Sequence, residues 1–191
     1  MNNPGWRIAL LCFSGFYALA SGIRAKRAMA EIAILVDVQN VYYTTMSAFQ
    51  CHFNYREFWR KVSADHQIKT AIAYAIDRGD NKQRQFQNIL RDTGFEVKLK
   101  PYIQRADGTA KGDWDVGITL DAVKHASAVD KIILLSGDGD FDLLATAVRS
   151  QYNVEFDVYG VEKLTARTLI DAATNFTAID GELLLQVLPR N

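Results

Sequence analysis

Acidic side chains dominate the groups in this chain that could do chemistry. There are 16 Asp and 6 Glu, and eight of the Asp fall between Asp107 and Asp142, where there is no Glu. Carboxylates this close repel one another unless a cation or a set of helix N-termini offsets the repulsion. Three motifs carry them. Asp37-Val38-Gln39-Asn40 sets an amide three residues after a carboxylate, which suits a metal ligand with an orienting donor and equally suits a helix cap. In Lys111-Gly112-Asp113-Trp114-Asp115-Val116, Asp113 is placed as an N-cap and Asp115 falls in the first helical turn, where the macrodipole favours negative charge. Ser136-Gly137-Asp138-Gly139-Asp140-Phe141 offers two Asp in a glycine-flanked loop; one cap needs one Asp, so the second favours ion binding.

If these motifs share one end of a sheet, Asp37, Asp115, Asp138 and Asp140 converge in one cleft. A divalent cation with hard oxygen ligands is then the expected partner. Mg²⁺ or Mn²⁺ suits all-carboxylate ligation, whereas His52, His66 and His125 are scattered and show no zinc spacing. One or two such ions activate water and stabilise the oxygens of an in-line displacement at phosphorus. Phosphodiester hydrolysis is the reaction this set serves. An aspartyl-phosphate mechanism is disfavoured, because Asp37-Val38-Gln39 lacks a second Asp two residues on to act as general acid.

The elements that must position these groups alternate along the chain. Ile32-Ala33-Ile34-Leu35-Val36 is a continuous apolar run, and similar runs follow at 68–76, 95–99, 132–135, 154–158 and 176–179. Continuous rather than alternating hydrophobicity argues for parallel strands covered on both faces. Helical patterns occupy 55–64, 81–93, 114–126, 141–150 and 165–172, with Phe86, Ile89 and Leu90 on one stripe and Val116, Leu120 and Val123 on another. Gly94 stands where a C-cap glycine would close the second of them. Repeated βαβ units predict an α/β fold, a three-layer α/β/α sandwich with a mostly parallel sheet and right-handed crossovers. In such folds the site lies outside the carboxyl ends of the strands, where the first and third motifs fall.

At these three motifs the sequence resembles the NYN domain family, in its LabA-like branch, within the PIN-like nuclease superfamily. The resemblance spans residues 31 to about 180. It implies a PIN-like (Rossmann-like) strand order 3-2-1-4-5 and a Mg²⁺- or Mn²⁺-dependent ribonuclease centre. Residue by residue, it makes Asp37, Asp115, Asp138 and Asp140 the acidic metal set and Asn40 its polar catalytic neighbour, with Lys111 and Ser136 as substrate-side candidates. Asp113 and Asp142 are read as caps or solvated acids, and Asp121 as facing elsewhere on its helix. Family members also include regulators, so the alternative is a non-catalytic RNA- or protein-binding module on the same fold.

With 191 residues and 49% hydrophobic content, the chain is one domain of ordinary globular composition, not a disordered or fibrous protein. Residues 1–30 form a leader with four bases and no acid, read as a misplaced start, a signal-like segment or an anchor; the domain itself is expected at 31–185. Cys12 and Cys51 match no disulfide or metal pattern, which points to a reducing cytoplasm. The net charge of zero hides a body in which 18 bases face 22 acids. Within it, residues 78–111 carry eight bases against four acids, and Arg78, Lys82 and Arg84 are the expected phosphate contacts. Tyr42, Tyr43 and Trp114 flank the acidic motifs as candidates for base stacking or for packing. RNA, single-stranded or structured, is the expected partner; a homo-oligomer is left open, and nothing in the domain calls for a membrane.

Overall fold

The computed structural model of the chain describes residues 29–77, 79–101, 103–104, 110–111 and 113–185, of which 103, 104, 110 and 111 are described in backbone only. The leader at 1–28 lies outside the described residues. Strands β1 (Ala30–Asp37), β2 (His66–Asp77), β3 (Glu96–Pro101), the two-residue β4 (Ile103–Gln104) and β5 (Ala110–Lys111), then β6 (Lys131–Leu135), β7 (Glu155–Gly160) and β8 (Asn175–Ala178) follow in chain order. The main sheet runs β3-β2-β1-β6-β7-β8 with every neighbour parallel, while β4 and β5 pair antiparallel as a separate ribbon. Counted within the main sheet this is the order 3-2-1-4-5 expected from the resemblance, extended by the run at 176–179 as a sixth strand.

β1 is the axis of the sheet because Ile32 to Val36 are fully buried. Its odd and even residues feed opposite cores. Ile32, Ile34 and Val36 pack with Val41, Phe58, Val62 and Leu90 under helices α1 (Val38–Phe49), α2 (Tyr55–Asp65) and α3 (Asn81–Thr93). Ala33 and Leu35 pack with Ile118, Ala122, Leu144, Val148 and Leu169 under α4 (Asp115–Ala126), α5 (Asp142–Tyr152) and α6 (Arg167–Ala172). The result is the three-layer sandwich that continuous apolar strands require. At Gly94 the chain leaves α3 with φ 121°, donating its N–H to Leu90 and Arg91, and a Cβ there would stand 2.6 Å from the Trp59 ring. Only glycine fits both demands.

Three local expectations are corrected. The sequence pattern marks no helix at α1, since Tyr42, Tyr43, Thr44 and Thr45 are poor helix formers. Burial of Val38 and Val41 holds it, and the hydroxyls of Thr44 and Thr45 donate to the carbonyls of Asn40 and Val41. Asp113 does not cap α4, which starts at Asp115 after Trp114 with no side-chain cap bond. The α4 stripe is the third. Val116, Leu120 and Val123 are 67%, 65% and 39% exposed, whereas Ile118, Ala122 and Ala126 face the sheet. Both triplets fit helical periodicity; the small alanines let α4 approach β1 and β6 closely, and that decides which one turns inward.

Urea unfolding reads this assignment directly. Ile118→Ala should cost about 2–5 kcal/mol as a cavity substitution, whereas Leu120→Ala should stay within about 0.5 kcal/mol. Equal losses would mean that both faces are buried.

Candidate functional site

Strand register assembles the site. Val36 of β1 pairs with Leu135 of β6, so Asp37 and Ser136 emerge side by side where the two strands end. Asp37 Oδ1 accepts from the Asn40 N–H at 3.1 Å and thereby caps α1, while Ser136 Oγ donates to Asp37 Oδ2 at 3.4 Å. Asn40 reaches across as well, its Oδ1 accepting from the Gly137 N–H at 2.8 Å. The 1%-exposed Ser136 also accepts from the Asp138 N–H at 3.2 Å. Two strand tips are thus fastened together by Asn40 and Ser136. Gly137 permits the crowding: a Cβ there would lie 2.9 Å from the Leu164 carbonyl oxygen, and its own carbonyl accepts from Ala166.

Asp138 accepts from the Asp140 N–H at 3.1 Å and caps the short 3₁₀ turn Gly139–Phe141, leaving Asp140 exposed. Asp115 opens α4 from the side. The charges of these acids act on one another. Burial pushes the Asp37 carboxyl from 3.8 up to about 6; the charges of Asp115 and Asp138 push the same way, against the Asn40 and Ser136 hydrogen bonds. Burial also raises Asp115, followed by the charges of Asp138, Asp113 and Asp140. Asp37, Asp115 and Asp138 therefore lie within reach of one another's charge, and Asp140 and Asp113 lie within reach of Asp115.

Among the described residues, no three His, Cys, Asp or Glu side chains stand together in a metal-ligating arrangement. The donor chemistry fits a hard divalent cation all the same: carboxylates that repel one another at a strand end, one of them held well above its ordinary range. Tyr55 was missed. It is buried at the start of α2, and its hydroxyl is raised by desolvation and by the Asp37 charge, so it lies within reach of that charge. In the sequence it reads only as a core aromatic, and no signal marks it.

The substrate-side candidates separate. Lys82 is exposed and lines a groove beside α1, and Arg84 donates to the Gly79 carbonyl. Arg78 lies outside the described residues, and Lys111 is described in backbone only. Lys98 is engaged by Asp121, which also accepts from Tyr74, so Asp121 does face away as expected. Trp114 is a packing residue: its indole N–H donates to the Ala75 carbonyl, its ring meets Tyr74, and the Lys100 ammonium lies 4.3 Å from its centroid. Tyr42 and Tyr43 remain about half exposed at the groove. No helix among the described residues is long and apolar enough to cross a membrane.

A parallel sheet of order 3-2-1-4-5-6 with carboxylates where its two central strands end defines a PIN-like α/β class. Residues 31–180 match the NYN domain, and the chain belongs to that family. It is similar to the Low amplitude and bright protein LabA of Synechococcus elongatus, with 24% identity over 155 residues that cover 77% of this chain and 82% of that protein. A crystal structure of a protein of unknown function from Vibrio parahaemolyticus is 57% identical, covers 83% of this chain and 98% of its own, and superimposes with a TM-score of 0.80. The LabA-like branch and the fold expected from the three motifs agree with these likenesses.

Because Asp37 is held above its unfolded value, the stability it contributes is complete below about pH 4 and is lost as pH rises through about 6. Ionising it should cost up to about 3 kcal/mol at pH 8 in EDTA. Asp37→Asn preserves a capping oxygen and removes the charge. Thermal melts in EDTA should therefore show the variant more stable than the native chain at pH 8 and equal to it at pH 4; a variant less stable at pH 8 contradicts the shift.

Proposed function

We propose that this protein is a metal-dependent ribonuclease, hydrolysing phosphodiester bonds of RNA at the cleft formed by Asp37, Asp115, Asp138 and Asp140. The observation that carries the reading is that the β1–β6 register and the Ser136 hydroxyl bring Asp37 and Asp138 together where the two strands end, with Asp115 close enough for the charges to repel. A chain that needed only helix caps would gain nothing from three carboxylates set against one another. Bound Mg²⁺ or Mn²⁺ would supply an activated water and charge neutralisation at the scissile phosphate. Asp37, Asp115 and Asp138 would hold it, with Asp140 at the open side.

The other residues position. Asn40 and Ser136 keep the tips of β1 and β6 at a set separation, which fixes Asp37 relative to Asp138. Lys82 and Arg84, at the start of α3, would hold flanking phosphates and set the strand's path across the carboxyl end of the sheet. Asp37 must be ionised to act as a ligand, so the affinity of the metal-free site for a divalent ion should weaken as pH drops through about 6.

A second reading has its own observation. Asp37 and Asp138 each already cap a turn or helix, which leaves both with a structural role in a non-catalytic module that binds RNA or a protein. Turnover separates the two. Purified chain incubated with labelled RNA should cleave it with Mn²⁺ and not with EDTA. Asp138→Asn, which retains a capping oxygen, should lower the rate by more than about a hundredfold, and Ser136→Ala by about 10–100-fold, the usual range for residues that orient metal ligands. Undiminished cleavage by Asp138→Asn overturns the ribonuclease reading; RNA bound without turnover at any divalent concentration establishes the second.

A further inference from the structure

A groove of about 890 Å³ opens between α1, α3 and the first turn of α2. It starts at Val38 and Gln39, the residues that follow Asp37, and Tyr55 in its wall lies within reach of the Asp37 charge. The groove therefore begins beside the acidic cleft, at the residue that follows Asp37. The floor holds an unusual group. Gln87 is 4% exposed, yet its Nε2 makes no hydrogen bond. A buried amide donor without an acceptor destabilises the fold, and an apolar side chain at the same position would not. Gln87 lines the cavity, so a turn of its amide brings this orphan donor to an acceptor arriving from outside.

The surroundings specify what brings it. Phe86 and Tyr55 form an apolar wall in edge contact at 5.6 Å. At the mouth, Tyr42 and His52 lie stacked with their centroids 5.7 Å apart and their planes within 24°. Lys82 and Arg56 supply positive charge to the lining, against one acid, Asp80, whose carboxylate is occupied in accepting from Gln83 to cap α3. The matching ligand is flat, presents an acceptor on its edge, and is tethered to an anion. A lipid chain would leave Gln87 unpaired and the cations unused.

We propose that this groove receives an unpaired nucleobase of single-stranded RNA, with a ring nitrogen or carbonyl accepting from Gln87 and its backbone phosphate beside Lys82. The identity of the ligand rests on the ribonuclease reading, and the groove adds to it a preference for unpaired RNA and a base-reading residue. A base held in a duplex cannot enter, since its edge and faces are already engaged. Tyr42, exposed at the entrance, offers the next stacking surface.

The test measures binding apart from cleavage. The full chain, carrying Asp138→Asn so that bound RNA is not consumed and kept in Mg²⁺, is titrated with short labelled single strands of each base and with a duplex of the same length. Gln87→Leu added to that chain should keep or raise the melting temperature, weaken single-strand binding about tenfold, and narrow the differences between bases. Tyr42→Ala should weaken binding by a similar factor without narrowing them. Unchanged binding by Gln87→Leu, a lowered melting temperature, or equal affinity for the duplex each overturns the proposal. Cleavage by the native chain is scored separately. Gln87-dependent binding without cleavage leaves the groove standing and removes the ribonuclease reading, whereas cleavage with Gln87-independent binding does the reverse.

Discussion

The pairing of β1 with β6 is the constraint on which the rest depends. These strands are far apart in the chain, yet their register delivers Asp37 and Ser136 to adjacent positions, and Asn40 and Ser136 then bind the two loops to each other. Each bond in that fastening is ordinary. Together they force carboxylates into a half-buried space where their charges cannot be well solvated. Burying a charge without a partner is expensive, and the raised Asp37 carboxyl is the direct sign of that expense. The fold tolerates it because Ile32 to Val36, wholly buried between two helical layers, anchor the strand that carries Asp37.

The same carboxylates serve local structure and the cleft at once. Asp37 caps α1 with one oxygen and meets Ser136 with the other. Asp138 caps its turn through Oδ1. Capping consumes one acceptor and aims the side chain, so a cap at a strand tip is also a way to hold a ligand oxygen in place. This is why the choice between cap and ligand, evenly balanced for a single motif, shifts when three motifs meet.

Charge follows the same logic. The neutral total conceals a basic leader, an acidic body and a basic stretch from β2 to α4. Part of that stretch is committed to the protein itself: Lys98 to Asp121, Lys100 to the Asp113 carbonyl and the Trp114 face. Lys82, by contrast, stands at the groove. On the proposed ribonuclease reading, a polyanion would meet a few placed cations next to a site that gains positive charge only when a divalent ion binds, which favours local recognition over broad, salt-driven attachment.

The sequence by itself determined the layer architecture, the strand tips that carry Asp37 and Asp138, and the family, because continuous apolar runs and Asp-Gly loops are local signals that survive any packing. It also exposed the acidic set, since clustered Asp without Glu is visible as composition. It did not reveal α1, whose Tyr-Tyr-Thr-Thr run is a weak helix former until Val38 and Val41 are buried. Nor did it choose between the two α4 stripes, because 3.6-residue periodicity is satisfied by both and only close approach to the sheet prefers Ile118 and Ala122. Asp113, Tyr55 and Gln87 became members of the site only in three dimensions. Their meaning comes from an unlike neighbour contributed by a distant strand or helix: a repelling carboxylate, a nearby charge, or the absence of any acceptor for a buried amide.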